Sequence, residues 1–126
     1  MKEHRKLVTV TKIDIDMERI PSIVGNFEFD EGCSFGGFGY GINMAFLVRF
    51  MLALGVERFS AINGKSFWMV YNKESCLGDS VTDGLLRIEP LTKKGGKPFD
   101  IRQWAAECAA DFQYKSMRDL EGKVKP

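Results

Sequence analysis

The chain is short of the side chains that perform most protein chemistry. It holds 1 histidine, His4, close to its start. A serine or cysteine nucleophile with an imidazole base would have to recruit that residue, and nothing in the pattern brings it to a core site. A histidine-based metal centre fails for the same reason. The 3 cysteines, Cys33, Cys76 and Cys108, are odd in number and form no C-x-x-C pair. That arrangement suits neither a disulfide framework nor a zinc site, and it reads as free thiols in a reducing compartment, two of them filling core space. Long apolar runs are missing as well. The stretch Met44 to Leu54 is broken by Arg49 and falls well short of a bilayer span. "MKEHRK" leads directly into a strand pattern and does not read as a signal peptide. A soluble protein of the cytoplasm, not secreted, is expected. Finally, no charge of one sign dominates: 18 basic residues face 17 acidic ones, for a net charge of +1. A nucleic-acid binder carries a basic excess and a DNA mimic an acidic one, so both classes are disfavoured unless a local patch hides in the average.

What is present suits one domain, residues 1–126, with a single core: 126 residues, 44% hydrophobic and 28% charged. "KLVTVTKIDIDM" alternates as a strand, but Val8 and Val10 are in one phase and Ile13, Ile15 and Met17 in the other. A bulge near Thr11 and Lys12 would keep both sets on the core face. Pro21 and Gly25 read as punctuation of a turn. "NFEFDEG" is a second strand bearing Phe27 and Phe29, closed by a hairpin turn at Asp30, Glu31 and Gly32, and a third strand runs from Cys33 towards Tyr40. Asn43 and Gly55 have the chemistry to cap a helix over Met44 to Leu54. That helix is apolar nearly all round, so it must be covered on most sides. "VERFSAING" is a short helical or turn connection, "KSFWMVY" and "LLRIEPL" are strands, residues 72–84 form a loop or long hairpin, and "TKKGGKP" ends the fifth strand. Asp100 with Gln103 predicts a capping box, stapled by Phe99 and Trp104, on a helix whose apolar stripe is Ile101, Trp104, Ala105, Cys108, Ala109 and Phe112. The expected fold is α+β: a mostly antiparallel sheet of about five strands with two helices packed on it, in the order β-β-β-α-β-β-α.

Chemistry is confined to carboxylates, glycines and a few cations. Asp14 and Asp16 share one face of the first strand, where a solvated polar face is the commoner explanation than a divalent ion. An enzyme is not expected, although a carboxylate-only, metal-dependent hydrolase stays open; no cofactor and no metal site is assigned. The run Phe35, Gly36, Gly37, Phe38, Gly39, Tyr40 has three functional explanations. As a phosphate cradle at a helix N-terminus it lacks the G-x-x-x-x-G-K-[ST] pattern. As an RNA-binding strand, "GFGYGI" has Gly36 where a basic residue belongs and the wrong element order. As a cleft it would admit a planar ligand between aromatic faces and backbone. Set against these, Phe35 and Phe38 fill the core and the glycines let a neighbouring element approach. Arg49 on its apolar helix needs water, a carboxylate such as Glu28 or Glu57, or a ligand anion, because burying it unpaired costs several kcal/mol. Both accounts stand at this point.

A hairpin ending in a Cys-x-F-G-G-aromatic strand, followed by "FLVRFMLALGVERFSAINGK", resembles a family of small proteins encoded by bacteriophages and prophages. Gly36, Gly37, Phe38, Gly55, Val56, Glu57, Phe59, Gly64 and Lys65 carry the likeness, over about the first two thirds of the chain. This sequence differs in doubling the glycine–aromatic unit and in having Phe59 where a tryptophan is common. The resemblance implies a phage setting in an infected bacterial host. The first expectation is a non-catalytic anti-defence protein that sequesters a small anionic, nucleotide-type signal through Phe35 to Tyr40 with Arg49, Arg58 and Lys65. The second is a protein–protein inhibitor of a host defence nuclease or effector, using Phe67, Trp68, Met69 and Tyr71 as its contact surface. The third is weak nucleic-acid binding through "KKGGK" and "KVK". A homodimer is expected in each case, and a membrane partner in none.

Overall fold

The computed structural model describes residues 3–18, 21–38, 41–72 and 84–108. The alternating run forms β1, His4–Asp16, which pairs antiparallel on both sides. Its register against β2, Ser22–Phe29, shifts between Val10 and Lys12. The extra residue inverts the side-chain phase, so Val8, Val10 and Ile13 are all buried on one face, as the sequence predicts, whereas Ile15 is only half-buried and Met17, past the end of the strand, is 44% exposed, against the expectation. Gly25 has a different place from the one expected. It lies inside β2, opposite Ile13, and not in a turn. A Cβ there would stand 2.0 Å from the Lys12 carbonyl oxygen, because the bulge drives that backbone against it.

The turn at Asp30 to Gly32 forms as read: Gly32 N–H donates to the Phe29 carbonyl at 3.0 Å and Phe29 N–H to the Cys33 carbonyl at 2.7 Å. Strand β3 covers only Ser34–Gly37; Phe38 follows it, and Gly39 and Tyr40 lie outside the described residues. Helix α1 is Met44–Leu54. The Asn43 side chain accepts the Phe46 N–H at 2.9 Å, and the C-terminal turn closes through Gly55 N–H to Leu52 and Val56 N–H to Met51, a Schellman arrangement. A 3₁₀ turn at Phe59–Ile62 leads to β4, Ser66–Tyr71.

β5 is Leu85–Pro90, and a sixth strand follows, β6, Phe99–Asp100, paired through Ile88 with Phe99. Among the described residues the sheet therefore has 6 strands, in the order β3-β2-β1-β4-β5-β6, each paired antiparallel with its neighbours. A strand of two residues has no alternation to read, which is why five were expected. It runs straight into α2, Ile101–Glu107, whose Gln103 N–H is capped by the Asp100 carboxylate at 2.9 Å. The Gln103 side chain reaches forward along the helix, its Nε2 donating to Glu107 at 3.0 Å. Of the expected stripe, Ile101, Trp104 and Cys108 are buried, Ala105 is exposed, and Ala109 and Phe112 lie outside the described residues, as does the loop over residues 73–83 with Cys76.

Both helices contribute to one continuous cluster with the inward residues of the sheet, so the α+β architecture is a single layer of helices on one face. The other face carries Arg5, Thr9, Trp68, Arg87 and Glu89. No helix among the described residues is long and apolar enough to cross a membrane.

Two adjacent glycines provide an internal control on this packing. A Cβ on Gly37 would meet the Ile23 carbonyl oxygen at 2.4 Å and the Val24 Cα at 3.0 Å, whereas one on Gly36 finds nothing nearer than 3.9 Å. Gly37→Ala is expected to lower stability by about 1–3 kcal/mol in urea titration, as overpacking does, and Gly36→Ala to leave it unchanged within about 0.5 kcal/mol. Equal denaturation midpoints for the two variants would contradict the arrangement.

Candidate functional site

In the glycine–aromatic run, the two described aromatics, Phe35 and Phe38, turn inward. Phe35 is half-buried and stacks on Phe27, with ring centroids 4.8 Å apart and planes 6° from parallel. Phe38 is 4% exposed. Its ring meets Phe27 at 5.7 Å, Phe35 at 5.9 Å, Phe46 at 5.9 Å and Phe50 at 5.8 Å, mostly edge-on. Such contacts add about 0.5–1.5 kcal/mol each to the gain from burial, and they commit Phe38 to the core and one face of Phe35 to Phe27. Gly37 is used for the close approach to β2, and Gly36 is exposed.

The cations expected beside this run do not gather there. Arg49 Nη2 bonds the Glu107 carboxylate, which the neighbouring Gln103 amide also supports, tying α1 to α2. Those bonds, the Arg49 one foremost, hold the Glu107 carboxyl below its ordinary range. The partner is thus an acid from α2, and neither Glu28 nor Glu57. Arg58 and Lys65 are exposed, before the 3₁₀ turn and before β4. A hollow of about 210 Å³ does adjoin Arg49, but its other walls are Leu52, Lys97, Pro98, Phe99, Asp100 and Gln103. None of them comes from the glycine run. Asn43 is the residue whose part the sequence showed only in half: its Oδ1 accepts both the Phe46 N–H and the Trp104 indole N–H, each at 2.9 Å. One side chain therefore starts α1 and fixes α2 beside it.

The contact surface expected on β4 is also largely internal. Phe67, Met69 and Tyr71 are fully buried, because their phase of the strand faces α1. They present nothing to a partner, and this corrects their assignment. Only Trp68, on the opposite face, is half-buried, with the Arg5 guanidinium 4.7 Å from its ring centroid. Around it runs a ladder of charge: Arg5 to Glu89 at 2.8 Å, Glu89 to Arg87 at 2.6 Å, and Arg87 to Glu3 through paired bonds of 2.8 and 2.6 Å. The Arg87 bonds hold the Glu3 carboxyl below its ordinary range. Among the described residues no group of three or more His, Cys, Asp or Glu could hold a metal ion.

An exposed apolar feature among the described residues lies elsewhere. Met44, Val48 and Leu52 are 72%, 50% and 48% exposed. Four residues apart, they form one stripe along the outer side of α1. Its signal was in the sequence, since a helix apolar on every side cannot bury all of them in a small sheet, but the dense aromatics of β4 drew the assignment away.

Compared with models of protein families, with curated proteins and with solved structures, the chain matches none.

The burial of Tyr71 is directly measurable. Desolvation raises its phenol above the ordinary value of 10.0. The folded state keeps that proton while the unfolded chain releases it, so this contribution to stability is complete below pH 10.0 and is lost as pH rises above it. Ultraviolet titration should show one tyrosinate step that coincides with alkaline unfolding and disappears in Tyr71→Phe. Three tyrosines titrating freely in the folded protein would contradict the buried position.

Proposed function

We propose that this protein works by binding and performs no reaction of its own: a phage-type accessory protein that occupies a defence protein of the bacterial host, in the host cytoplasm, through the outer side of α1. The single observation that carries this reading is the stripe of Met44, Val48 and Leu52, exposed to water on a helix whose one charge, Arg49, is already paired with Glu107. Several exposed apolar side chains on one helix face mark contact sites more often than single scattered ones do. The phage setting rests on the resemblance of the glycine–aromatic strand and the helix after it.

A protein partner is preferred to a nucleotide because the side chains proposed for nucleotide capture are otherwise engaged. Phe35 and Phe38 use their faces on one another and on the core, and Arg49 holds a carboxylate. Capture of a small anionic, nucleotide-type ligand is the second reading, favoured by the hollow that brings Arg49 and Lys97 together. Asp100 on the same wall opposes an anion there, which ranks it second. A homodimer through the stripe is compatible with either.

Val48→Glu together with Leu52→Glu tests the reading, since both positions face water and the fold should keep its melting temperature. Wild-type protein is expected to restore phage plating on at least one of a panel of hosts bearing defence systems, and the double variant to lose that effect at equal soluble expression. Full restoration by the variant, or none by the wild type on any host, would overturn it. Heat released by a nucleotide messenger, abolished in Arg49→Ala, would move the assignment to the second reading.

A further inference from the structure

β1 is longer than the strand beside it, and the difference leaves a notch. β2 reaches β1 only as far as Val8 opposite Phe29, and the Asp30 N–H closes that ladder on the Leu7 carbonyl at 3.0 Å. Beyond it the chain turns away through Gly32. Residues His4 to Lys6 are therefore paired with β4 on one side, opposite Tyr71, Val70 and Met69, and flanked on the other by no strand among the described residues.

The direction of the free backbone groups follows from alternation. Val10 exchanges bonds on the β4 side, its N–H with the Lys65 carbonyl at 2.8 Å and its carbonyl with the Gly64 N–H at 2.6 Å. Leu7, of the opposite parity, accepts from Asp30 on the β2 side. Successive residues of an antiparallel strand present their N–H and C=O groups to opposite neighbours, so those of Arg5 point into the notch. There lies a groove of about 450 Å³, lined among others by Arg5, Lys6, Leu7, Asp30, Glu31 and Trp68.

We propose that this notch is a docking site for an extended peptide segment of a partner protein, which adds a short strand beside Arg5 in the place β2 vacates. Donor and acceptor of Arg5 provide the main-chain bonds, and alternate side chains of the guest find different walls. On the open face, Leu7 and the half-buried Trp68 offer apolar surface. The charges decide the rest. Arg5 is held by Glu89, Lys6 by Glu31 at 2.6 Å, and Glu3 by Arg87, whereas the exposed Asp30 carboxylate makes no ion pair among the described residues. The complementary guest alternates apolar with basic residues and sets a basic one at the Asp30 end. This surface is separate from the stripe on α1 and does not depend on it.

The probe is an acetylated Lys-Val-Lys-Val-Lys-Val peptide. It is compared with its Glu-Val counterpart and with two versions N-methylated on alternate amides, by amide chemical shifts, Trp fluorescence and calorimetry on the full chain. The Lys-Val peptide is expected to shift the Arg5 amide and quench Trp68, while the Glu-Val peptide and one N-methylated version bind about tenfold more weakly or worse, the scale of one lost hydrogen bond. Arg5→Pro removes the inward donor and spares the β4 ladder, so it should abolish binding that Arg5→Ala retains. No shift at Arg5, or equal binding by every N-methylated version, would overturn the proposal. So would a doubled mass with the Arg5 amide already protected from exchange before peptide is added, since a second copy would then fill the notch.

Discussion

Phe46 and Phe50, one helical turn apart on α1, tie the core together. Phe46 meets Phe38, Phe99 and Trp104 at centroid distances of 5.9, 5.0 and 4.8 Å, and Phe50 meets Phe38 and Phe67 at 5.8 and 5.6 Å. Through these two rings the helix reaches the segment after β3, the strand β4, the short β6 and the helix α2. Burying such rings contributes about 1.5–3 kcal/mol apiece from removal of apolar surface alone.

That seating settles what each side of the neighbouring elements can do. Because Phe38 and Phe35 complete the ring cluster, Gly37 between them acts as spacing that lets β3 lie close on β2. Because α1 commits Phe46, Phe50, Ala53 and Leu54 inward, Met44, Val48 and Leu52 must face outward. And because the described helices pack on one face, the charged ladder from Glu3 to Arg5 lies on the other, where such pairs contribute about 0–1 kcal/mol each and arrange the surface more than they stabilise it.

Much of the fold was legible in the sequence because local chemistry decides it. The bulge at Thr11 follows from two apolar phases in one strand, α1 from Asn43 and Gly55, and the start of α2 from Asp100. What was not legible depends on partners far apart in the chain. Gly25 has the composition of a turn, and only the bulged backbone of Lys12 makes it a strand residue. β6 is too short to alternate. The pairing of Arg49 with Glu107 spans residues that no local pattern connects. The candidate site was the least legible part, since an aromatic strand bound for the core and one bound for a ligand are written with the same residues. Phe67 and Tyr71 against Trp68 differ only in strand phase, and the phase acquires meaning once α1 is known to lie on one side.

The central claim is that the glycine–aromatic strand is core and the outer side of α1 is surface, and unfolding free energies measure both at once. Phe38→Ala should cost about 3–5 kcal/mol, as truncation of a buried ring does, while Val48→Ala should change stability by less than about 0.5 kcal/mol, in the range of exposed positions. A Phe38→Ala protein as stable as the wild type, with Val48→Ala the damaging change, would contradict the account.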